Sequence, residues 1–190
     1  CSVDPAAALA TPKGARRLPK TMSDEDVQRL LATCDTDEAT GIRDRAFLEL
    51  LYASGARISE VSRLDVGSVD FGRSQVTLFG KGSKERIVPL YEVALDWVSR
   101  YLDEARPWLA SAAKGEKAEG PDGALFLSTR GRRMSADALR TVFENHVCLA
   151  RLDPTLTPHA MRHTYATELV SGGADLRSVQ ELLGHESLST

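Results

Sequence analysis

The sequence predicts an α+β fold, mainly α-helical with a small three-stranded antiparallel sheet. One observation is helical spacing of apolar residues, as in Ile42, Ala46, Phe47, Leu50 and Leu51. Another is a change of period between Val69 and Pro89, where 69–71, 75–79 and 86–89 are short, partly alternating runs separated by glycine-containing turns. The third is size: 190 residues, 42% hydrophobic and 27% charged, suit one medium domain around one core.

Taken in order, residues 1–22 are rich in Ala, Pro and basic residues, lack periodicity, and read as a basic linker or arm. Ser23 with Asp26 three residues later is a capping signature for a helix through Leu30 and Leu31, and Asp24 to Asp26 suit its positive end. A second helix is expected from Gly41 to Ala53, broken by Gly55, and a short amphipathic turn covers Ile58 to Leu64. The three strands follow, the last two flanking the GKGSKE turn. A helix is expected from Tyr91 to Glu104, a polar loop from Pro107 to Gly123, and Leu125–Leu127 is a candidate fourth strand. Ser135 caps a helix running to Leu149. Thr157 reads as the N-cap of the next helix, with Pro158 at its first position. Gly172-Gly173 ends that helix, Asp175 caps the helix Leu176 to Leu183, and Gly184 stops it just before His185.

The net charge of −3 does not advertise a polyanion partner, but the charges are clustered. Lys13, Arg16, Arg17 and Lys20 form one basic run; Lys81, Lys84 and Arg86 a second; Arg130, Arg132 and Arg133 a third. A basic cluster is usually a solvated face, yet all three fall on turns or linkers. Cys1, Cys34 and Cys148 are widely separated and form no CxxC, which argues against a disulfide framework or zinc cluster and for a reducing compartment. Neither a bilayer-spanning run nor a signal peptide is read, and the start without Met leads us to expect a preceding segment.

The segment from Thr157 to His185 carries the chemistry. At about 100° per residue, His159, Arg162 and Ala166 share one helix face, while Met161, Tyr165 and Leu169 lie on an apolar one. A solvated helix end is the alternative on this segment alone. His159 and His163 stand at i, i+4, but Ala160 occupies the place of the zinc hydrolase Glu, so no metal and no cofactor are expected. Arg57 at a helix break, Lys81 on a hairpin and His185 beyond a helix stop complete a set of two guanidiniums, one ammonium and two imidazoles. Guanidiniums clamp planar oxyanions in bidentate fashion, and a lone Lys can donate a proton. That set suits a phosphodiester whose transition state spreads charge over its non-bridging oxygens.

Four stretches, SGARISEVSRL, GKGSKERIVPL, TPHAMRHTYATEL and GADLRSVQELLGHESLST, together resemble the tyrosine recombinase (phage integrase) family, in wording most like the bacterial Xer-like recombinases. The resemblance runs from Ser23 to Thr190 and implies the tyrosine-recombinase catalytic-domain fold for residues 23–190. It implies catalytic roles for Arg57, Lys81, His159, Arg162 and His185. The arginines and His185 would hold the scissile phosphate, Lys81 would protonate the departing 5′ oxygen, and His159 would deprotonate or position the nucleophile. The basic clusters supply the candidate DNA contacts Arg16, Arg17, Lys84, Arg86, Arg130, Arg132 and Arg133.

The family's nucleophilic tyrosine follows the second histidine by a few residues, past Thr190, so the chain is expected to be inactive alone. An amino-terminal helical domain is likewise expected ahead of the basic arm. The partners implied are double-stranded DNA and further recombinase protomers, four on two duplexes, with a monomer expected in the absence of DNA, no membrane, and a cytoplasmic location. Chromosome-dimer resolution is the role favoured. Integration of a mobile element, a catalytically dead DNA-binding regulator and a structural module that does not touch DNA are the alternatives.

Overall fold

A computed structural model describes residues 20–80, 84–113 and 123–184. Helix α1 (Asp24–Leu31) opens where Ser23 Oγ accepts the Asp26 N–H at 3.2 Å. Packing begins one residue earlier than this cap, because Met22 is buried and its N–H donates to Thr164 Oγ1 at 2.8 Å. Helix α2 (Ala39–Ser54) is the centre of the molecule, with Ala46, Phe47, Leu48, Leu50 and Leu51 all fully buried. A helix buried on nearly every side must pair its polar groups. Accordingly Arg43 meets Asp44 at 2.7 Å, and Glu49 accepts from Arg45 at 2.8 Å and from the Tyr91 hydroxyl at 2.7 Å.

Around α2 pack α4 (Glu92–Arg100), α5 (Arg106–Ser111) and α7 (Pro158–Ser171), while α6 (Ala136–Leu149) packs on α1 and on the short α3 (Ile58–Val61). The sheet is antiparallel, in the order β1 (Val69–Asp70), β2 (Gln75–Phe79), β3 (Glu85–Pro89). Val76 lies opposite Val88 and Leu78 opposite Arg86. Since side chains alternate across a strand, the row that buries Val76, Leu78 and Val88 also carries Arg86 inward. The last helix, α8 (Leu176–Leu183), is capped by Asp175, whose Oδ1 accepts the Ser178 N–H at 3.0 Å, and ends at Gly184 with φ 61°. No helix of the described residues is long and apolar enough to cross a membrane.

Four expectations change. Leu125–Leu127 is buried but adds no strand to the sheet, because its backbone turns first to Leu64 (Leu125 N–H to O, 2.8 Å) and then to Met134 (N–H to Phe126 O, 3.0 Å). Two partners one after the other leave no continuous ladder. The loop expected from Pro107 begins later, because a π-helical turn (Tyr101–Ala105) leads into α5, where Pro107 sits in the first turn and needs no N–H partner. Thr157 precedes α7 but its side chain makes no capping hydrogen bond. Finally, Arg162 is buried rather than displayed on a polar face, for reasons that define the site.

Candidate active site

Gly55 ends α2 in the left-handed conformation (φ 55°, ψ 25°), and after buried Ala56 the chain restarts as α3 with Arg57 at its N-cap. This stop and restart holds the Arg57 side chain half-exposed. Glu60, three residues on, reaches back so that its Oε2 accepts the Arg57 N–H at 2.7 Å and its Oε1 accepts Arg57 Nη1 at 3.1 Å. Glu60 is itself buried, 3% exposed, and a buried carboxylate needs more than one cation's corner. Arg86 supplies the rest as a fork, with Nη1 to Oε1 at 2.6 Å and Nη2 to Oε2 at 2.7 Å.

Arg162 reaches the same place from α7. Its Nη1 donates to Gly55 O at 2.6 Å and its Nη2 to Leu183 O. Three guanidiniums therefore meet the carboxy-terminal carbonyls of α8: Arg86 Nε donates to Leu182 O at 2.8 Å, Arg162 to Leu183 O, and Arg57 Nη2 to Gly184 O at 3.4 Å. Cations are favoured at that end of a helix, and α8, only eight residues long, depends on such tertiary contacts. Burial lowers the Arg162 pKa, with the neighbouring Arg57 and Arg86 charges adding to the effect against Glu60, to about 10. That leaves it cationic at neutral pH. Burial acts to raise the Glu60 pKa, but the hydrogen bonds from Arg86 and from the Arg57 backbone, with both guanidinium charges, more than reverse it and hold it below 4.5.

His159 is exposed in the first turn of α7 and lines a hollow of about 110 Å³ together with Arg57, Ile58, Arg140 and Thr157. The structure thus brings Arg57, Arg162 and His159 to one region. Lys81 and His185 lie outside the described residues, as do Arg16 and Arg17. The residues just before Lys81 and His185 are placed at the cluster: a Cβ on Gly80 would lie 3.8 Å from Glu60 Oε1, and Gly184 accepts from Arg57.

Among the candidate DNA contacts, Lys84, Arg130 and Arg132 are exposed. Arg133 instead ties the end of α3 through Leu64 O at 3.0 Å and Asp65 Oδ1 at 2.5 Å, and Arg86 is committed to Glu60 and Leu182 inside the protein. A run of basic residues carries no information about which way each side chain faces: Arg86 turns inward, whereas Arg133 keeps 35% of its side chain exposed. Glu60 and Arg140 were missed as site residues. Glu60 stands at capping-box spacing from Arg57, a signal that was present; Arg140 is one polar residue among many on α6 and gives none.

Glu60→Gln is expected to destabilise the chain by about 3 kcal/mol at neutral pH, because two buried or half-buried guanidiniums lose their counter-charge. Since the folded pKa of Glu60 lies below its ordinary 4.5, the stability it contributes is complete above 4.5 and is lost as pH falls through the folded value. Urea unfolding of the two proteins should therefore show a gap at neutral pH that closes in acid. A gap that persists unchanged in acid contradicts an ionised Glu60.

Residues 20–190 match the model of the phage integrase family. The chain is 41% identical to the tyrosine recombinase XerC of Pelotomaculum thermopropionicum over 98% of its length and 60% of that protein's. It is 43% identical to XerD of Pseudomonas aeruginosa, again over 98% of this chain and 60% of the relative. Among solved structures, XerA recombinase superposes with a TM-score of 0.75 at 27% identity, covering 90% of this chain and 57% of that one. XerH bound to palindromic difH substrate, a post-cleavage complex, gives a TM-score of 0.72 at 26% identity, covering 90% and 48%. The chain thus spans about 60% of the length of the curated relatives it matches. A mainly helical domain with a three-stranded antiparallel sheet, an arginine pair at the end of its last described helix and matches of this extent place the chain in the phage integrase family of tyrosine recombinases.

Proposed function

We propose that the chain is the catalytic domain of a site-specific recombinase that cuts and rejoins DNA through a 3′-phosphotyrosyl intermediate, in Xer-type resolution of chromosome dimers in the cytoplasm. The observation that carries this reading is the convergence of Arg57 and Arg162 on the end of α8, where Gly184 precedes His185 and Gly80 precedes Lys81. A scissile phosphate seated there meets fixed cationic donors, which stabilise the charge of a pentacoordinate transition state without reorganising. A tyrosine oxygen, its proton passed to His159, attacks phosphorus, and the bond to the 5′ oxygen breaks as Lys81 protonates it. The freed 5′ hydroxyl later attacks the phosphotyrosine and restores the phosphodiester. His159 lines the same hollow as Arg57, which supports its role in deprotonating or positioning the nucleophile. Protomers would assemble as a tetramer on two duplexes.

The chain alone is expected to bind duplex DNA with an affinity that falls steeply with salt and to form no covalent adduct. The full-length protein, incubated with a nicked suicide duplex, should give a denaturation-resistant protein–DNA species. Binding without any adduct from the full-length protein would replace this reading with a DNA-binding regulator, and no binding at low salt would remove DNA altogether.

A further inference from the structure

We propose that Arg86 is a positioning residue of this site: it occupies the Glu60 carboxylate so that Arg57 stays available to a phosphate, and it pins the end of α8. This inference rests on the recombinase reading above. An arginine on a basic hairpin ordinarily suggests a phosphate contact, but the register of β2 and β3 turns Arg86 inward, beside Val88. Its side chain is only 10% exposed, and each of its three nitrogens has a partner inside the protein. An inward guanidinium is costly unless so paired, which makes Glu60 its required counter-charge.

The two arginines hold Glu60 unequally. Arg86 engages both carboxylate oxygens at 2.6 and 2.7 Å, whereas Arg57 Nη1 makes a single longer contact at 3.1 Å. Glu60 has little access to water and cannot be left alone. Without Arg86, the guanidinium already in contact with it is that of Arg57, which is half-exposed and whose other contact, to Gly184 O, is long at 3.4 Å. Arg57 would then close a fork onto Glu60, and a guanidinium so committed is a poor phosphate ligand.

Arg86 also joins three of the four segments that carry the candidate catalytic residues. It lies on the hairpin of Lys81, bonds the carboxylate that caps the Arg57 helix, and holds Leu182 O three residues before His185. A Cβ on Gly184 would come within 3.2 Å of Arg86 Nη1, so the turn before His185 packs directly on this guanidinium. Positioning and charge are thus supplied by one side chain.

The test uses the full-length protein on a nicked suicide duplex, with single-turnover cleavage and DNA affinity measured separately. Arg86→Met should slow cleavage ~100-fold, the size of one lost oxyanion contact, while affinity changes ~3-fold or less. Adding Glu60→Gln to Arg86→Met should recover ~10-fold or more of the lost rate, because the stranded carboxylate is gone; a purely structural role predicts a further loss instead. Arg86→Lys, which keeps the charge but not the fork, serves if the Met variant does not fold, and should lose ~10-fold. Cleavage by Arg86→Met or Arg86→Lys at the wild-type rate overturns the proposal, as does a double variant no faster than the single. A crystal structure of the Arg86→Met chain decides the point independently of activity: the Arg57 guanidinium should take both Glu60 oxygens as a fork and leave Gly184 O, and an unmoved guanidinium overturns it. Absence of an adduct from the wild-type protein removes the recombinase reading only.

Discussion

Arg162→Lys is expected to lower single-turnover strand cleavage by about 10²–10³-fold, the range for removing a preorganised oxyanion donor. Lysine keeps a positive charge in principle, so the size of this loss comes from geometry and from burial. Arg162 donates to Gly55 O and to Leu183 O from two different nitrogens, spanning the end of α2 and the end of α8. An ammonium is a point donor on a flexible stem and cannot bridge two carbonyls while also meeting a phosphate. The same surroundings take the guanidinium from 12.5 to about 10, through burial first and the Arg57 charge next. The same burial and neighbouring charges push a lysine at this position down from its ordinary range, so it loses its charge more readily than a solvated lysine as pH rises. The activity of the variant should therefore fall relative to the wild type as pH rises above neutrality. Measuring cleavage rates of both proteins across that range checks the point, and a Lys variant within a few-fold of wild type contradicts it. Stability should fall as well, by about 1–3 kcal/mol, for the two buried carbonyls left without their donor.

The comparison of sequence with structure separates what is local from what is not. Ser23, Ser135 and Asp175 cap their helices through bonds to residues three positions on, and such bonds are legible in any single sequence. The three strands were legible too, since short, partly alternating apolar runs such as Val76 and Leu78 follow from burial of one face. What escaped depends on partners distant in the chain. Arg86 looked like part of a basic surface cluster because nothing in GKGSKERIVPL shows that Glu60 lies beneath it. Arg162 reads as a residue displayed with His159 on a polar helix face because Gly55 O and Leu183 O are brought to it only by the packing of α2 and α8. The two errors share a cause: a charged side chain reads as solvated unless its counter-charge is near in sequence. Glu60 was near, three residues from Arg57, and its spacing was the available clue that the cluster is internally neutralised. Leu125–Leu127 failed differently, its apolar run being correct for burial while its backbone partners change midway.

Gly55→Ala carries the largest expected effect on stability among the glycines that shape the site, and two independent terms contribute. The residue sits at φ 55° and ψ 25°, where a Cβ crowds the carbonyl that follows; for a non-glycine residue this is worth about 1–2 kcal/mol. A Cβ there would also lie 2.3 Å from Tyr165 Cδ1 and 2.9 Å from Cγ, so the ring must move. Tyr165 is buried on α7, and overpacking of a filled site adds about 1–3 kcal/mol. The sum, about 2–5 kcal/mol, is a large fraction of what a domain of this size holds in reserve. Urea unfolding of Gly55→Ala measures it directly, and a loss below about 1 kcal/mol contradicts both terms. The two can be separated with Tyr165→Leu, which removes the ring without touching the backbone. If the clash contributes, Gly55→Ala/Tyr165→Leu is less destabilised than the two single variants summed, by more than about 1 kcal/mol; if only the left-handed backbone matters, the effects add. The consequence for the site follows from the carbonyl of the same residue. Gly55 O is the acceptor that holds Arg162 Nη1, and Gly55 N–H closes α2 on Leu51 O at 3.1 Å. A residue that cannot keep this conformation unwinds the end of α2 and moves the acceptor together with it. Cleavage should then fall even under conditions where the variant remains folded, because the Arg162 guanidinium loses the anchor opposite Leu183.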